Sequence, residues 1–337
     1  MIATEAETQN GTFAHEVQAG MTADPKSLPC RFFYDHKGSL LYEAICEQPE
    51  YYLTRAEAEI LRDRAGEITS RLPRKITLVE LGSGSAVKTR ALIEEQLKRQ
   101  TKLRFIPIDI SPTILEESSL GLVQEYVNLE IRGIIGEYDG ALRHLKAEED
   151  NPKLLLWLGS SIGNLERCDA ADFLRWVAET MLSDDRLLVG IDLRKERAVL
   201  ERAYDDSRGV TARFNKNILT PINRELGGRF DVGSFRHRAV YQEQLGRVEM
   251  YLVSERAQCV SIDRLGLKIS FDADEAMHTE NCYKYSVDEI DSLAESAGLI
   301  LDHRWFDSKR RFSVNLFAAD QGWKVKRSQG QKVERSK

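Results

Sequence analysis

A carboxylate, a glycine turn and a second carboxylate are spaced in this chain as the parts of a nucleoside-binding loop. Glu80-Leu81-Gly82-Ser83-Gly84-Ser85 closes a short apolar run, Ile76–Leu81. Glycine is needed where the backbone bends sharply and a ligand must approach it closely. Asp109 follows 25 residues after Gly84, at the end of a second apolar run, Leu103–Ile110. A carboxylate there can accept both hydroxyls of an adenosine ribose. The competing use of Asp109 is to cap the helix that follows. Gly136-Glu137-Tyr138 lies where a third strand would end and is a candidate for the adenine edge. Further on, Leu158-Gly159-Ser160-Ser161-Ile162-Gly163-Asn164-Leu165 places an amide, which both donates and accepts hydrogen bonds, at the end of a fourth strand. Satisfying a local turn is the competing use of Asn164.

A GxG turn after a strand also serves nicotinamide and nucleotide enzymes. Two details favour S-adenosylmethionine. Position 87 is Val87, not the third glycine of a dinucleotide fingerprint. Glu80 stands on the last strand residues before the glycines, an arrangement common in methyltransferases. A pyrophosphate also prefers a loop that opens directly onto a helix N-terminus, and a methyl donor carries no such group. The expected contacts of the donor are Glu80, Gly82, Ser83, Gly84 and Asp109.

Methyl transfer from a sulfonium to an amine is a direct displacement that needs a neutral lone pair held in line. It needs no metal and no covalent enzyme intermediate, and the chain shows no strong nucleophile motif. Hydroxyls and amides can orient the amine, and partial burial beside a cationic sulfonium lowers the population of its charged form. Tyr34, the Tyr51-Tyr52 pair and Tyr204 sit in polar company (Phe33-Tyr34-Asp35, Ala203-Tyr204-Asp205-Asp206) and are candidates for that task. Amphipathic core filling is the alternative use of each.

The elements that must position these residues alternate. Strands are predicted at Ile76–Leu81, Leu103–Ile110, Leu129–Gly133, Leu154–Leu158 and Leu187–Leu193. Helices are predicted over Ala86–Arg99, Pro112–Gln124 and Asp169–Leu182, the last with Asp169 as N-cap. Near-continuous apolar strands separated by helices specify a mostly parallel sheet buried on both faces. Leu299–Phe306 and Phe312–Ala318 are spaced to form a closing hairpin. Leu28–Glu57 and Glu201–Tyr285 break the alternation; the second mixes a helical pattern over Val210–Leu226 with strand patterns at Val248–Ser254 and Leu267–Phe271. The predicted class is therefore α/β: a Rossmann-like, doubly wound domain (59–193 plus 285–321) and a second, discontinuous α+β domain (19–58 plus 194–284). Residues 1–18 and 322–337 are expected to be flexible ends.

Composition narrows the function classes. The net charge is −6, from 48 Lys and Arg against 54 Asp and Glu. A mildly acidic chain has no attraction for nucleic-acid phosphates, so no nucleic-acid partner is expected. The five cysteines, Cys30, Cys46, Cys168, Cys259 and Cys282, are odd in number and lack metal-ligand spacing, which argues against a disulfide framework and a zinc site. No signal peptide or membrane span is read, so no membrane partner and a cytosolic, monomeric enzyme are expected. The basic stretch Trp323–Lys337 reads as a solvated tail.

Taken together, these segments resemble the ergothioneine-pathway histidine N-α-methyltransferase family. The matching stretches are PKSLPCRFFYDHKGSLLYEAICEQPEYYLTRAEAEIL, VELGSGSAVKTR, FIPIDIS, LGSSIGNL, AYDDSRGVTARFNKNIL, INRELGGRFD, RVEMYL and FDADEAMHTENCYKY, in family order from about Ala19 to Ala318. The combination of FFYD, PEYY, GSSIGNL and AYDD is far more specific than the glycine loop. The resemblance implies a methyltransferase domain with a separate substrate domain, and stepwise methylation of histidine to its trimethylated betaine, hercynine. It also implies roles by position. Gly82, Lys88, Asp109 and Glu137-Tyr138 match cofactor contacts. Tyr51, Asn164 and Tyr204 match residues that hold the substrate carboxylate and amine, and Tyr34 matches a tyrosine near the amine. Asn164 and Tyr34 are thus the candidate catalytic residues. Met250 and Glu280 match the side-chain pocket, with Glu280 facing the imidazole. One position departs: Cys282 stands where histidine-specific members carry serine. A thiol is the weaker hydrogen-bond partner, while Glu280 retains a charge-assisted bond to an imidazole N–H.

Three rivals stay open on the sequence. One is the same fold acting on another amino acid, such as a tryptophan derivative. Another is a nicotinamide-dependent oxidoreductase, against which the missing third glycine and the dispersed histidines weigh. The last is a non-catalytic binding module.

Overall fold

The computed structural model describes residues 2–3, 9–146 and 151–323 of the 337. The expected tail beyond Trp323 lies outside these. Seven strands come first: β1 (Ile2–Ala3), β2 (Thr77–Leu81), β3 (Leu103–Asp109), β4 (Leu129–Ile131), β5 (Ile134–Ile135), β6 (Lys153–Trp157) and β7 (Arg186–Asp192). Five follow within a later stretch: β8 (Phe235–Gln242), β9 (Arg247–Ser254), β10 (Gln258–Ile262), β11 (Leu267–Phe271) and β12 (Ala276–Tyr283). A hairpin of β13 (Leu299–Phe306) and β14 (Phe312–Ala319) closes the chain.

Contacts divide the described residues into two compact units. Of the described residues, one draws on 2–3, 55–146, 151–194 and 285–323; the other on 9–54 and 195–284.

The first unit carries one sheet in the order β1-β5-β3-β2-β6-β7-β14-β13, with β4 beside β3. Pairing is parallel from β1 through β7 and antiparallel at β14 and β13. Strands β2 and β6 are buried at every residue, as a sheet covered on both faces requires. The chain moves outward from β2 to β3, then returns across the sheet to place β6 on the other side of β2. The carboxyl ends of β2 and β6 therefore flank a topological switch point, where open α/β sheets bind ligands. The helix Val287–Ser296 that leads into β13 starts with a capping box: the Ser286 hydroxyl accepts from Glu289 N, and the Glu289 carboxylate accepts from Ser286 N.

The second unit holds a three-stranded antiparallel sheet, β12-β9-β8, and the ribbon β10–β11. The helix predicted over Val210–Leu226 is two helices, Val210–Asn217 and Leu219–Leu226, hinged at Ile218. Pro221 lies in the first turn of the second, where its missing N–H costs no helical bond.

Three local expectations are corrected. Residues 9–22 form a helix whose Phe13, Val17 and Met21 are buried, so the flexible N-terminal end does not extend to residue 18. The apolar i, i+4, i+8 spacing was the overlooked signal. The helix after the glycine turn starts at Arg90, not Ala86, because Ala86 has φ +51° and cannot enter a right-handed helix. Asp169 lies in the first turn of the helix Arg167–Thr180 and is not its N-cap; Glu166 holds that position without a side-chain bond. Among the described residues, no helix is long and apolar enough to cross a membrane.

Candidate active site

The predicted donor residues gather at the carboxyl ends of β2 and β3 in the first unit. Gly82 and Ser83 both donate their backbone N–H to Ile108 O, which folds the turn back onto β3. Gly82 has φ +66° and Gly84 φ +49°. A side chain at Gly82 would put its Cβ 2.6 Å from the Tyr138 hydroxyl, whereas one at Gly84 would meet nothing within 4 Å. The turn is thus closed against Tyr138 on one side and open on the other. Tyr138 is itself packed edge-on to Trp157, ring centroids 6.5 Å apart. Glu137 is exposed, and its carbonyl accepts from Ala141 N in the helix that begins at Tyr138.

Asp109 both shapes the turn and keeps acceptor capacity. Its Oδ2 accepts from Gly84 N at 2.9 Å and its Oδ1 from Ser111 N at 2.9 Å. One lone pair per oxygen remains for ligand hydroxyls. Burial pushes this carboxyl above its ordinary range, against the pull of the Ser111, Gly84 and Ile110 N–H groups. Glu80 is more deeply placed. Its Oε1 accepts from the Thr89 hydroxyl at 2.6 Å, while its Oε2 is buried and has no partner among the described residues. Burial lifts this carboxyl to about 8, with Thr89 and Lys88 opposing. The Ser83 hydroxyl is likewise buried without a partner. Orphaned polar atoms beside a turn open at Gly84 are what a polar nucleoside donor would satisfy, so these residues fit S-adenosylmethionine.

Glu57 was not legible from its motif neighbours and is a firmly held, buried carboxylate of this unit. It is 1% exposed, its two oxygens lie 2.9 Å from Gly159 N, and it pairs with Lys88. Gly190 on β7 makes room for it: a Cβ there would lie 1.8 Å from Glu57 Oε1. One side chain therefore ties the residue after the glycine turn to the loop that follows β6. Glu57→Gln keeps an acceptor for Gly159 but removes the charge that faces Lys88. It is expected to lower folding stability by about 1–3 kcal/mol, read from denaturant midpoints at unchanged m; an unaltered midpoint would show the pair to be immaterial.

The loop after β6 turns through two left-handed residues, Gly159 at φ +74° and Ser160 at φ +58°. The buried Ser160 hydroxyl accepts from Asp192 N at 3.0 Å and pins the loop to β7. Asn164 ends the short 3-10 turn Ser161–Asn164. It is half-buried, and among the described residues its carboxamide has no hydrogen-bond partner, so the local-turn use is not the one adopted.

The predicted acceptor residues of the second unit lie on β9, β12, one helix and the segments that hold Tyr34 and Tyr51. Register places Glu280 and Cys282 on one face of β12, with Met250 of β9 opposite Glu280. Tyr204 ends the helix Arg197–Tyr204, and its hydroxyl lies 2.8 Å from the Cys282 sulfur. Tyr204 is held from behind by His237, whose Nε2 donates to Tyr204 O while Nδ1 accepts from Asn215; only the neutral, Nε2-protonated ring satisfies both bonds. Tyr51 meets Tyr204 edge-on at 6.2 Å, and Tyr42 extends the contact to Tyr34. Phe214 touches both Tyr34 and Tyr42. Burial holds the Tyr51 phenol well above its ordinary range, so it stays a neutral donor. Glu280 is 7% exposed, and among the described residues its carboxylate accepts no hydrogen bond. Burial raises its carboxyl to about 7, with Lys284 opposing.

Asp35 of FFYD and Asp206 of AYDD accept from N–H groups in the first turns of helices. Asp35 Oδ1 accepts from Gly38 N at 2.8 Å, and Asp206 accepts from Val210 N at 2.9 Å and Thr211 N at 2.7 Å. They fix the starts of the helices His36–Cys46 and Val210–Asn217, which follow Tyr34 and Tyr204 in the chain. Tyr42, Lys284 and Glu57 were the residues overlooked. Only Lys284 had a sequence signal, a lysine between two tyrosines inside the FDADEAMHTENCYKY stretch.

A doubly wound sheet with a glycine turn and a ribose-type carboxylate on adjacent strands, and no dinucleotide fingerprint, belongs to the S-adenosylmethionine-dependent methyltransferases. A family model described as "Histidine-specific methyltransferase, SAM-dependent" matches residues 13–319, and the chain belongs to that family. It is 41% identical over 302 residues to a histidine N-alpha-methyltransferase of Mycolicibacterium smegmatis, covering 89% of this chain and 93% of that one. A histidine N-alpha-methyltransferase of Mycobacterium tuberculosis is 41% identical over 303 residues, covering 90% and 94%. The L-tryptophan methyltransferase trpM of Psilocybe serbica is 31% identical over 326 residues, covering 88% and 89%.

Proposed function

We propose that this enzyme transfers methyl groups from S-adenosylmethionine to the α-amino nitrogen of free histidine, in steps, to the trimethylated betaine. One observation carries the choice of acceptor: a buried Glu280 carboxyl, free of hydrogen bonds among the described residues, beside Met250 and Cys282. A buried carboxylate is costly unless a ligand pairs with it, and an imidazole N–H is a matched partner. The identity to the two mycobacterial histidine N-alpha-methyltransferases supports the same acceptor.

In this reading Asp109 holds the ribose, Glu80 and Ser83 satisfy polar groups of the donor, and Lys88 stands by its carboxylate. Tyr138 and Glu137 border the adenine. The donor supplies an electrophilic methyl: an N–C bond forms as the C–S bond breaks, and the electron pair stays on sulfur as a thioether. Tyr51, Asn164 and Tyr204 take the amino acid's carboxylate and amine, and Tyr34 faces the amine. Each of the first transfers leaves a proton to be shed before the next lone pair is available. The linked rings of Tyr34, Tyr42, Tyr51 and Phe214 offer aromatic faces to the growing ammonium, worth about 0.5–2 kcal/mol through cation–π attraction. Orientation supplies the larger share, on the order of 7–11 kcal/mol for well-aligned reactants. Free thiols throughout suit a reducing compartment such as the cytosol, and we place a monomeric enzyme there.

A panel of the common amino acids with methyl-labelled donor tests this. Histidine is expected to be the preferred acceptor. A second reading, methylation of tryptophan or a derivative, is favoured by Cys282 and by the likeness to a tryptophan methyltransferase. Label on tryptophan with none on histidine would replace the first reading by the second. Cys282→Ser should change the histidine KM by less than about tenfold, since one neutral hydrogen bond is exchanged for another; a larger change would make the thiol itself a determinant.

A further inference from the structure

Lys284 is 0% exposed, a placement lysine adopts only when its charge is compensated. It follows β12 directly, and its backbone N–H donates to Gly246 O at 2.7 Å, which locks it to the turn between β8 and β9. Its Nζ lies 2.6 Å from the Tyr204 hydroxyl and 3.2 Å from the Cys282 sulfur. The ammonium also stands 4.6 Å from the centroid of the Tyr204 ring. Two residues assigned to the acceptor, Tyr204 and Cys282, thus converge on one buried cation.

Hydrogen-bond roles follow from chemistry. An ammonium only donates, so the Tyr204 oxygen accepts from Lys284 and its proton must point elsewhere, to Cys282 or to a ligand. A phenol that accepts from a cation donates more strongly in turn. Removing one member of a buried charged cluster leaves the others without their partner, so stability and substrate binding must be read separately. The groups that face Glu280 are Lys284, Cys282 beside it on β12, and Cys30 from the turn Cys30–Phe33. Burial pushes the Cys30 thiol to about 12 and raises Cys282 as well, so both stay neutral near pH 7.

We infer that Lys284 is a positioning residue of the acceptor pocket: its ammonium fixes the Tyr204 hydroxyl and the Cys282 sulfur and supplies the positive charge that faces Glu280. This rests on the histidine reading above. The consequence is specific. Without Lys284, Tyr204 is free to turn its proton away from the substrate carboxylate, and Glu280 loses the charge that favours its ionised form.

The test compares wild type, Lys284→Met, Lys284→Arg and Tyr204→Phe as full-length enzymes, with histidine and S-adenosylmethionine. Lys284→Met is expected to raise the histidine KM about tenfold or more while the Kd for the donor, by calorimetry, stays that of wild type. The acid limb of its kcat/KM profile should move to higher pH by about one unit, since a close cation shifts a carboxyl by that order. Lys284→Arg should return the limb towards wild type. If Lys284→Met does not fold, Tyr204→Phe carries the test: it keeps the ammonium, so KM should rise with the acid limb unmoved. A folded Lys284→Met with wild-type KM and limb, or a Tyr204→Phe with wild-type KM, overturns the inference. A wild-type enzyme inert towards histidine would sink the histidine reading and this inference with it; an active wild type with an indifferent Lys284→Met sinks only the role of Lys284.

Discussion

Glu280→Ala is expected to raise the histidine KM by about ten- to a hundredfold, the effect of losing one hydrogen bond to a charged group of ~1.5–3 kcal/mol. The carboxylate stands opposite Met250 and accepts no bond among the described residues, so the imidazole N–H would lose its partner outright. Glu280→Gln keeps a carbonyl acceptor of the same shape and should fall between alanine and wild type. The same group fixes a pH dependence. Burial holds its folded-state carboxyl at about 7, above the ordinary 4.5. A raised carboxyl favours the protonated form in the fold, so its contribution to stability is present below 4.5 and is lost as pH rises through about 7. The ionised form accepts from an imidazole N–H more strongly than the neutral one, so kcat/KM for histidine should fall as pH drops through the same window. Steady-state kinetics of both variants across that range check this; histidine kinetics left at wild-type values in Glu280→Ala would remove Glu280 from the pocket.

Asp109→Ala is expected to weaken S-adenosylmethionine binding by about a hundredfold, as two charge-assisted bonds of ~1.5 kcal/mol each are lost. Part of the loss comes through the protein. Asp109 receives Gly84 N and Ser111 N, one on each oxygen, so alanine also releases the glycine turn. Asp109→Asn separates the contributions: its amide NH₂ cannot accept, so one of those N–H groups is orphaned while one oxygen remains for a ribose hydroxyl. It should bind the donor more tightly than alanine and less tightly than wild type. Ionisation of Asp109 favours acceptance from hydroxyls, so affinity should decline on acidification through its raised carboxyl range. Calorimetric titration reads all three, and unchanged affinity in Asp109→Ala would take the residue out of the donor site.

The donor side was legible because its chemistry is local. A strand, a turn of two glycines and a carboxylate at the next strand end are adjacent in sequence and stay adjacent in the sheet. Strand period and apolar runs likewise placed β2, β3, β6 and β7 to within a residue or so. The acceptor side was reached through resemblance, because Tyr51, Tyr204 and Glu280 come from distant stretches and no periodicity joins them. Strands β8, β10 and β12 were not foreseen: their alternation is interrupted by charged residues such as Arg236, Arg238 and Glu280, whose placement depends on partners far along the chain. Glu57 illustrates the limit. On a helix rich in acids it reads as one more solvated charge, and only Gly190, with no side chain on β7, reveals the space cut for it.

The central claim is that histidine is the acceptor and that one pocket takes it through successive methylations. Mass spectrometry of the purified enzyme with S-adenosylmethionine and, separately, histidine and its mono- and dimethylated forms addresses it directly. All three are expected to give the same final product, carrying three methyl groups on the α-nitrogen. Products that stop at one methyl group, or no mass increase on histidine at all, would contradict it.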